Sequence, residues 1–132
     1  MNNYLKPEKT DTLKDISIQG LAHVGDAVFE LMIRTWLCTN GTFTAKKLHD
    51  RAVSFVSAKA QAAAAEKIFS KLTEEETAVF KRGRNTHVNS IPKASTHGQY
   101  HAATGIEALF GYLYIGGSVD RLNELFTLII EE

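Results

Sequence analysis

The chain has 132 residues, 44% of them hydrophobic and 23% charged, which is the composition of one ordinary soluble globular domain. One cysteine, Cys38, excludes an internal disulfide, and the polar first fifteen residues exclude a secretory signal, so we expect a cytoplasmic protein with no membrane partner. Fifteen basic and fifteen acidic residues give a net charge of zero, so any binding of nucleic acid must depend on local clusters of positive charge.

The apolar residues recur at helical spacing almost throughout, and we predict an all-α bundle of about six to seven helices. Residues 1–14 are expected to form a loose or partly helical lead-in, and residues 15–132 a single folded domain. The predicted helices cover about 15–38, 44–55, 57–72, 73–81, 99–115 and 118–130. Their predicted caps are Asp15, Thr44, Thr73 and Ser118. Residues 83–98, rich in glycine, asparagine and proline, are predicted to be irregular.

The first long helix is apolar over most of its surface and carries its charges in one stripe. Asp26, Glu30 and Arg34 follow one another at spacing four. The simplest interpretation is a solvent-facing stripe with a Glu30–Arg34 ion pair, worth a few tenths of a kcal/mol. Spacing alone favours this structural interpretation over a functional one.

The helix over 99–115 contains a more unusual charge. Glu107 is the only charged residue between Ala102 and Ile115, and a buried carboxylate is costly unless it is paired or bound to a metal. Gly111 lies one turn after Glu107, and Gly25 directly precedes Asp26, so the two helices can approach closely. Two crossing helices with one carboxylate each would form an oxygen-rich site of the kind that Mg²⁺ prefers for phosphodiester hydrolysis. The residues alone leave a metal site and a structural role equally open.

Two segments resemble the signatures of the ribonuclease III family. Residues 21–30, Leu-Ala-His-Val-Gly-Asp-Ala-Val-Phe-Glu, resemble its first signature, and residues 106–113, Ile-Glu-Ala-Leu-Phe-Gly-Tyr-Leu, resemble its second. Their order, their separation and the helical context also agree. The short chain and the Lys-Arg-Gly-Arg-Asn run at 81–85 resemble the Mini-III branch in particular. The resemblance implies that residues 15–132 are a catalytic domain without a double-stranded-RNA-binding domain.

The resemblance also implies an activity and its residues. It implies a Mg²⁺-dependent endoribonuclease that cleaves double-stranded RNA as a homodimer and matures the ends of the 23S ribosomal RNA precursor, with a ribosomal protein as a further candidate partner. Asp26 matches the catalytic aspartate, and Glu107 matches the metal-binding glutamate. Ala22 and Thr104 stand where the family usually has two further carboxylates. The pair is therefore expected to carry most of the metal binding.

Positive charges gather where the fourth predicted helix ends. Alone, Lys81, Arg82 and Arg84 would be the ordinary complement of a helix dipole. Beside the family resemblance they predict contacts with RNA phosphates. The predicted RNA-binding residues are Lys81, Arg82, Arg84, Asn85 and Lys93.

Two other functions stay open at this point. The losses at Ala22 and Thr104 are compatible with a non-catalytic RNA-binding helical module. His49-Asp50 matches the dipeptide of another class of metal-dependent phosphohydrolase, the HD domains, although the dipeptide alone is a very weak signal.

Overall fold

The computed structural model describes residues 3–8, 10–41, 43–86 and 96–131. Within these ranges the chain forms six α-helices, two short 3₁₀-helices and no strand, which confirms the predicted all-α fold. The α-helices are α1 (Ile18–Thr39), α2 (Ala45–Val56), α3 (Ala58–Ile68), α4 (Glu74–Arg84), α5 (His97–Ile115) and α6 (Val119–Ile130). The 3₁₀-helices are Thr10–Asp15 and Phe69–Lys71. None of the described helices has the length and apolar character needed to cross a membrane.

Several predicted helix starts are confirmed by their hydrogen bonds. The Thr44 hydroxyl accepts a hydrogen bond from the Lys47 amide at 3.2 Å, as an N-cap residue should. Thr73 and Glu76 make both bonds of a capping box, at 2.9 and 3.2 Å. Short polar side chains therefore set the boundaries of α2 and α4 locally.

The predicted cap of α1 is wrong. Asp15 ends the N-terminal 3₁₀-helix, and Ser17 caps α1 instead, because its hydroxyl accepts a hydrogen bond from the Gly20 amide at 3.0 Å. Ser118 does stand directly before α6, but its side chain makes no capping hydrogen bond. The predicted irregular segment is shorter than expected, since Gly83 and Arg84 belong to α4 and residues 97–98 to α5. Residues 87–95 lie outside the described residues.

α5 is the central helix, and α1, α3 and α4 pack around it. Its fully buried Phe110 meets the ring of Phe29 edge to face, with 5.3 Å between the ring centroids. Phe29 also meets Phe126 of α6 at 6.4 Å. Each such side chain contributes roughly 1.5–3 kcal/mol by leaving water. This core fixes α1 and α5 against each other.

A partly buried ion pair attaches α4 to α6. The Nε and Nη2 atoms of Arg121 donate to the two carboxylate oxygens of Glu76, each at 2.9 Å. Arg121 also donates to the carbonyl of Lys71 at 2.8 Å. The guanidinium lowers the pKa of Glu76 because it hydrogen-bonds the ionised carboxylate. The first turn of α4 is thus held in place, and its other end points towards the centre of α5.

Candidate active site

α1 and α5 cross closely because each presents a glycine to the backbone of the other. A Cβ atom on Gly25 would lie 1.6 Å from the carbonyl oxygen of Glu107, and one on Gly111 would lie 1.9 Å from the carbonyl oxygen of Leu21. No atom can occupy either place, so only glycine permits this approach. The crossing therefore depends on backbone packed directly against backbone.

The crossing brings the two predicted site carboxylates together. Asp26 follows Gly25 and is exposed, whereas Glu107 is half-buried. Burial, a hydrogen bond with Asp26 and the negative charge of Asp26 together raise the pKa of Glu107 to about 8, and burial is the largest of these causes. At neutral pH Glu107 therefore tends to stay protonated, since its pKa is about 8. A bound cation can replace that proton and compensate the same repulsion.

The positive end of α4 lies beside Glu107. A Cβ on Gly83 would meet the Ala108 Cβ at 2.8 Å and the Thr104 carbonyl oxygen at 3.0 Å, so α4 touches α5 on both sides of Glu107 along the helix. The described side chains at this end are cationic or polar, as predicted. Lys81, Arg82 and Asn85 are exposed, and Arg84 is half-buried.

Arg84 differs from the other predicted RNA-binding residues. Its guanidinium lies over the Phe80 ring, 5.8 Å from the centroid, which limits its reach. The remaining predicted residue, Lys93, lies outside the described residues. The structure thus places four of the five predicted residues at one end of α4.

The chain is similar to known ribonucleases over most of its length. The family model of the ribonuclease III domain matches residues 19–118. The chain is 42% identical to the Mini-ribonuclease 3 of Clostridium tetani, over 89% of this chain and 79% of that one. It is 39% identical to the Mini-ribonuclease 3 of Enterococcus faecalis, over 90% and 92%.

The chain belongs to the ribonuclease III family. Within that family it belongs to the Mini-III group, and it is an endoribonuclease that acts on double-stranded RNA. A crystal structure of a Fusobacterium nucleatum protein shares the fold, with a TM-score of 0.82, 29% identity and coverage of 90% of this chain and 95% of that one. The family resemblance inferred from the two signatures is therefore confirmed.

As a member of a metal-dependent nuclease family, this chain has few ligand side chains. Among its described residues no group of three or more His, Cys, Asp or Glu side chains is arranged to hold a metal ion. Thr104 stands one turn before Glu107, and its hydroxyl donates to the Tyr100 carbonyl at 3.0 Å along its own helix. Two carboxylates still suit Mg²⁺, which usually takes one or two and completes its shell with water and phosphate oxygens.

Other candidate residues do not join this ribonuclease III site. Glu30 accepts a hydrogen bond from Nε of Arg34 at 3.1 Å, which supports the structural interpretation of that pair. His49 and Asp50 lie on the exposed side of α2, where Asp50 pairs with Lys46 at 3.1 Å. Within the described ranges the HD dipeptide therefore has no metal-site geometry.

One neighbouring feature was missed from the sequence. A cleft of about 330 Å³ opens between the N-terminal 3₁₀-helix, α1, α4 and α5. Its lining includes the predicted RNA-binding residue Arg82 and also Lys14, which no motif marks. Isolated surface lysines carry no sequence signal, so only the tertiary structure brings these two cations together.

Proposed function

We propose that this ribonuclease III member is Mg²⁺-dependent and that Asp26 and Glu107 are its metal-binding catalytic residues. The observation that supports this most is the contact between two carboxylates at a crossing that only glycine permits. An arrangement that raises the pKa of Glu107 to about 8 is unfavourable in an empty site and favourable once a cation is bound. Oxygen-only donors favour Mg²⁺ over metals that prefer nitrogen or sulfur.

The chemistry follows from what these side chains do. When bound, Mg²⁺ would stabilise negative charge on the phosphate and lower the pKa of a coordinated water. Asp26 and Glu107 would hold the ion, Glu107 as the deprotonated carboxylate, and the exposed side of the site at Asp26 leaves room for the RNA strand. The backbone contact at Gly25 fixes the separation of the two carboxylates, so little reorganisation is needed during the reaction. Lys81, Arg82 and Arg84 neutralise phosphates of the duplex.

The substrate we propose is the stem at the ends of the 23S ribosomal RNA precursor. Support comes from the resemblance to the Mini-III group and from the type of RNA-binding side chain. An A-form duplex is recognised through its phosphates and 2′-hydroxyls, for which cations and amides are suited. Because the net charge is zero, we expect weak binding that a ribosomal protein can strengthen, in the cytoplasm.

We also propose that the chain works as a homodimer. Next to Asp26, α1 has an apolar face with a cleft lined by His23, Val24, Ala27, Val28, Leu31 and Tyr114. Leu31 is 58% exposed, an unusual cost for a large apolar side chain in the signature helix. A second copy packed on this face would place two carboxylate pairs on one duplex. Light scattering should give the dimer mass for the wild type and the monomer mass for Leu31→Glu; a stable wild-type monomer would contradict the proposal.

The decisive experiment is cleavage of a duplex RNA in Mg²⁺ and in EDTA. Wild type should cleave only with Mg²⁺, and Asp26→Asn and Glu107→Gln should each lower cleavage by more than about 100-fold, because several kcal/mol of transition-state stabilisation are lost. Duplex binding, measured by fluorescence anisotropy in EDTA, should remain. Glu30→Gln is the matched control, since it removes a carboxylate from the same helix outside the site.

Each contrary outcome has a distinct meaning. Normal cleavage by Asp26→Asn would overturn the site assignment. Duplex binding by the wild type without cleavage would favour a non-catalytic RNA-binding module. Hydrolysis of mononucleotides without duplex cleavage would favour another class of metal-dependent phosphohydrolase.

A further inference from the structure

The cleft beside the active site has an apolar floor and two cations at its rim. Leu21 and Val79 are buried and form part of the floor, together with half-buried Tyr112. Lys14 from the N-terminal 3₁₀-helix and Arg82 from α4 line it from two separate elements. Both cationic residues are exposed. Such a cleft presents positive charge from both sides over an apolar surface.

These two cations have no partner among the described side chains. Each salt bridge in the described part of the chain lies elsewhere, on Arg34, Lys46 or Arg121. The acidic Asp11 also lines the cleft, but it forms no ion pair there with Lys14 or Arg82. In the first turn of α4, Glu75 accepts a hydrogen bond from the Tyr112 hydroxyl at 3.5 Å. The positive charge of Lys14 and Arg82 is thus available to a ligand.

The cleft and the carboxylate pair share two helices. Leu21 lies five residues before Asp26 on α1, and Tyr112 lies five residues after Glu107 on α5. Five residues correspond to about 7–8 Å along a helix axis. Arg82 at the rim of the cleft directly precedes Gly83, whose contacts with Ala108 and Thr104 lie on both sides of Glu107 along α5. The cleft therefore borders the end of α4 that lies beside the carboxylate pair.

We propose that the cleft between Lys14 and Arg82 binds a phosphate of the RNA strand next to the phosphodiester that is cut. This rests on the proposed function, because it assigns a subsite of the same RNA-binding surface. Lys14 and Arg82 are positioning residues that hold the strand in register with Asp26 and Glu107. The apolar floor accommodates the adjoining ribose, and Asp11 weakens the binding of anions at the rim.

The test measures duplex binding as a function of salt, in EDTA so that no cleavage occurs. Lys14→Gln should weaken binding several-fold and reduce the slope of log K against log salt by about 1, since one of the two cation–phosphate contacts is lost. Arg82→Gln should act similarly, and the double variant should weaken binding less than the product of the two single factors, because both act on one phosphate. Lys14→Arg should restore the slope.

Two further variants make the result specific. Lys71→Gln removes another exposed cation, at the opposite end of α4, and should leave the slope unchanged. Asp11→Asn should strengthen binding, because it removes a negative charge beside the phosphate. Thermal unfolding of every variant should match the wild type, as expected for exposed side chains.

The inference is overturned if Lys14→Gln keeps the wild-type slope, if the two single factors multiply in full, or if Asp11→Asn weakens binding. These results are separable from the proposed function. A wild type that cleaves duplex RNA with an unchanged Lys14→Gln slope defeats only the phosphate subsite. A wild type that does not cleave duplex RNA at all defeats the proposed function itself.

Discussion

α5 makes two close crossings, and they are built differently. Against α1, a side chain on Gly25 or Gly111 would strike a carbonyl oxygen of the opposite backbone. Against α4, a Cβ on Gly83 would first meet the Ala108 Cβ, and one on Gly105 would first meet the Phe80 ring. At the first crossing the nearest atoms are backbone carbonyl oxygens at 1.6 and 1.9 Å, whereas at the second they are side-chain and backbone atoms between 2.8 and 3.1 Å. The first crossing is therefore the closer of the two.

The two crossings also hold opposite charges. The closer one carries the carboxylates Asp26 and Glu107, whose contact raises the pKa of Glu107. The more open one carries the exposed cations Lys81 and Arg82, which we propose to contact the phosphates of the duplex. A reacting centre needs fixed geometry, whereas phosphate contacts tolerate adjustment. The comparison suggests that each type of packing suits its chemistry.

The largest expected effect comes from breaking the α1–α5 crossing. Gly111→Ala places a methyl group 1.9 Å from the Leu21 carbonyl oxygen. Since neither backbone can move without opening the core, we expect at least about 3 kcal/mol loss in the free energy of unfolding, measured by urea denaturation, and loss of cleavage.

Two glycines in the same protein calibrate that result. Gly83→Ala should cost less, because its nearest obstacle is the Ala108 methyl group at 2.8 Å rather than a carbonyl oxygen. Gly98→Ala meets nothing within 4 Å in the first turn of α5 and should stabilise the protein by about 0.4–1 kcal/mol. Equal losses for Gly111→Ala and Gly83→Ala would remove the proposed difference between the crossings.

The next largest effect on stability comes from removing the ion pair between Glu76 of α4 and Arg121 of α6. Glu76→Gln leaves the guanidinium of Arg121 without its buried carboxylate, and we expect a loss of about 3 kcal/mol in unfolding free energy. The matched control is Glu124→Gln, which removes the exposed partner of the same arginine and should cost at most about 0.5 kcal/mol. Mg²⁺ affinity, measured by calorimetry, should change little, because the carboxylate crossing is untouched; a large loss would show that the two crossings are coupled.

The smallest expected effect is the pH dependence of stability that Glu107 causes at the α1–α5 crossing. The folded-state pKa of Glu107, about 8, lies above its ordinary value of 4.5. Its contribution to stability is therefore fully present below pH 4.5 and is lost as the pH rises through 8. Glu107→Gln removes this loss. In EDTA, its Tm should match the wild type near pH 5 and exceed it by several degrees near pH 8.

The effect of Mg²⁺ on the Tm is a second test of the role of Glu107. Mg²⁺ at pH 8 should raise the Tm of the wild type but not that of Glu107→Gln, since binding stabilises only a folded state that has the site. The Glu30→Gln variant should respond to Mg²⁺ and to pH as the wild type does. A Tm difference between Glu107→Gln and wild type that is constant from pH 5 to pH 8 would contradict the role of Glu107 protonation.

The features that could be predicted from the sequence are either local patterns or parts of a recognised family signature. The capping box of Thr73 and Glu76 is a local pattern, and it appears as predicted. The pairing of Asp26 with Glu107 was expected from two glycines placed beside lone carboxylates, and the family resemblance strengthened that expectation. These features combine a short-range pattern with a strong physical requirement.

Other features depend on residues far apart in the chain, and the sequence carries no pattern for them. Glu76 was expected only to cap a helix, whereas the structure also pairs it with Arg121, 45 positions away. Ser17 replaces Asp15 as the cap of α1 because a 3₁₀-helix precedes it. Lys14 enters the cleft only through that same 3₁₀-helix. Nothing in residue spacing encodes such contacts.

The position of the cations on a chain without net charge has a kinetic consequence. A uniformly basic nuclease attracts any nucleic acid from a distance, and its association rate falls steeply with salt. Here the positive end of α4 lies next to two carboxylates, so the far field is weak and encounters with RNA are governed by ordinary diffusion and docking. Selectivity then depends on how long an RNA duplex stays bound. A duplex that cannot contact the cations of α4 while one of its phosphates lies at the carboxylate pair dissociates before it is cut.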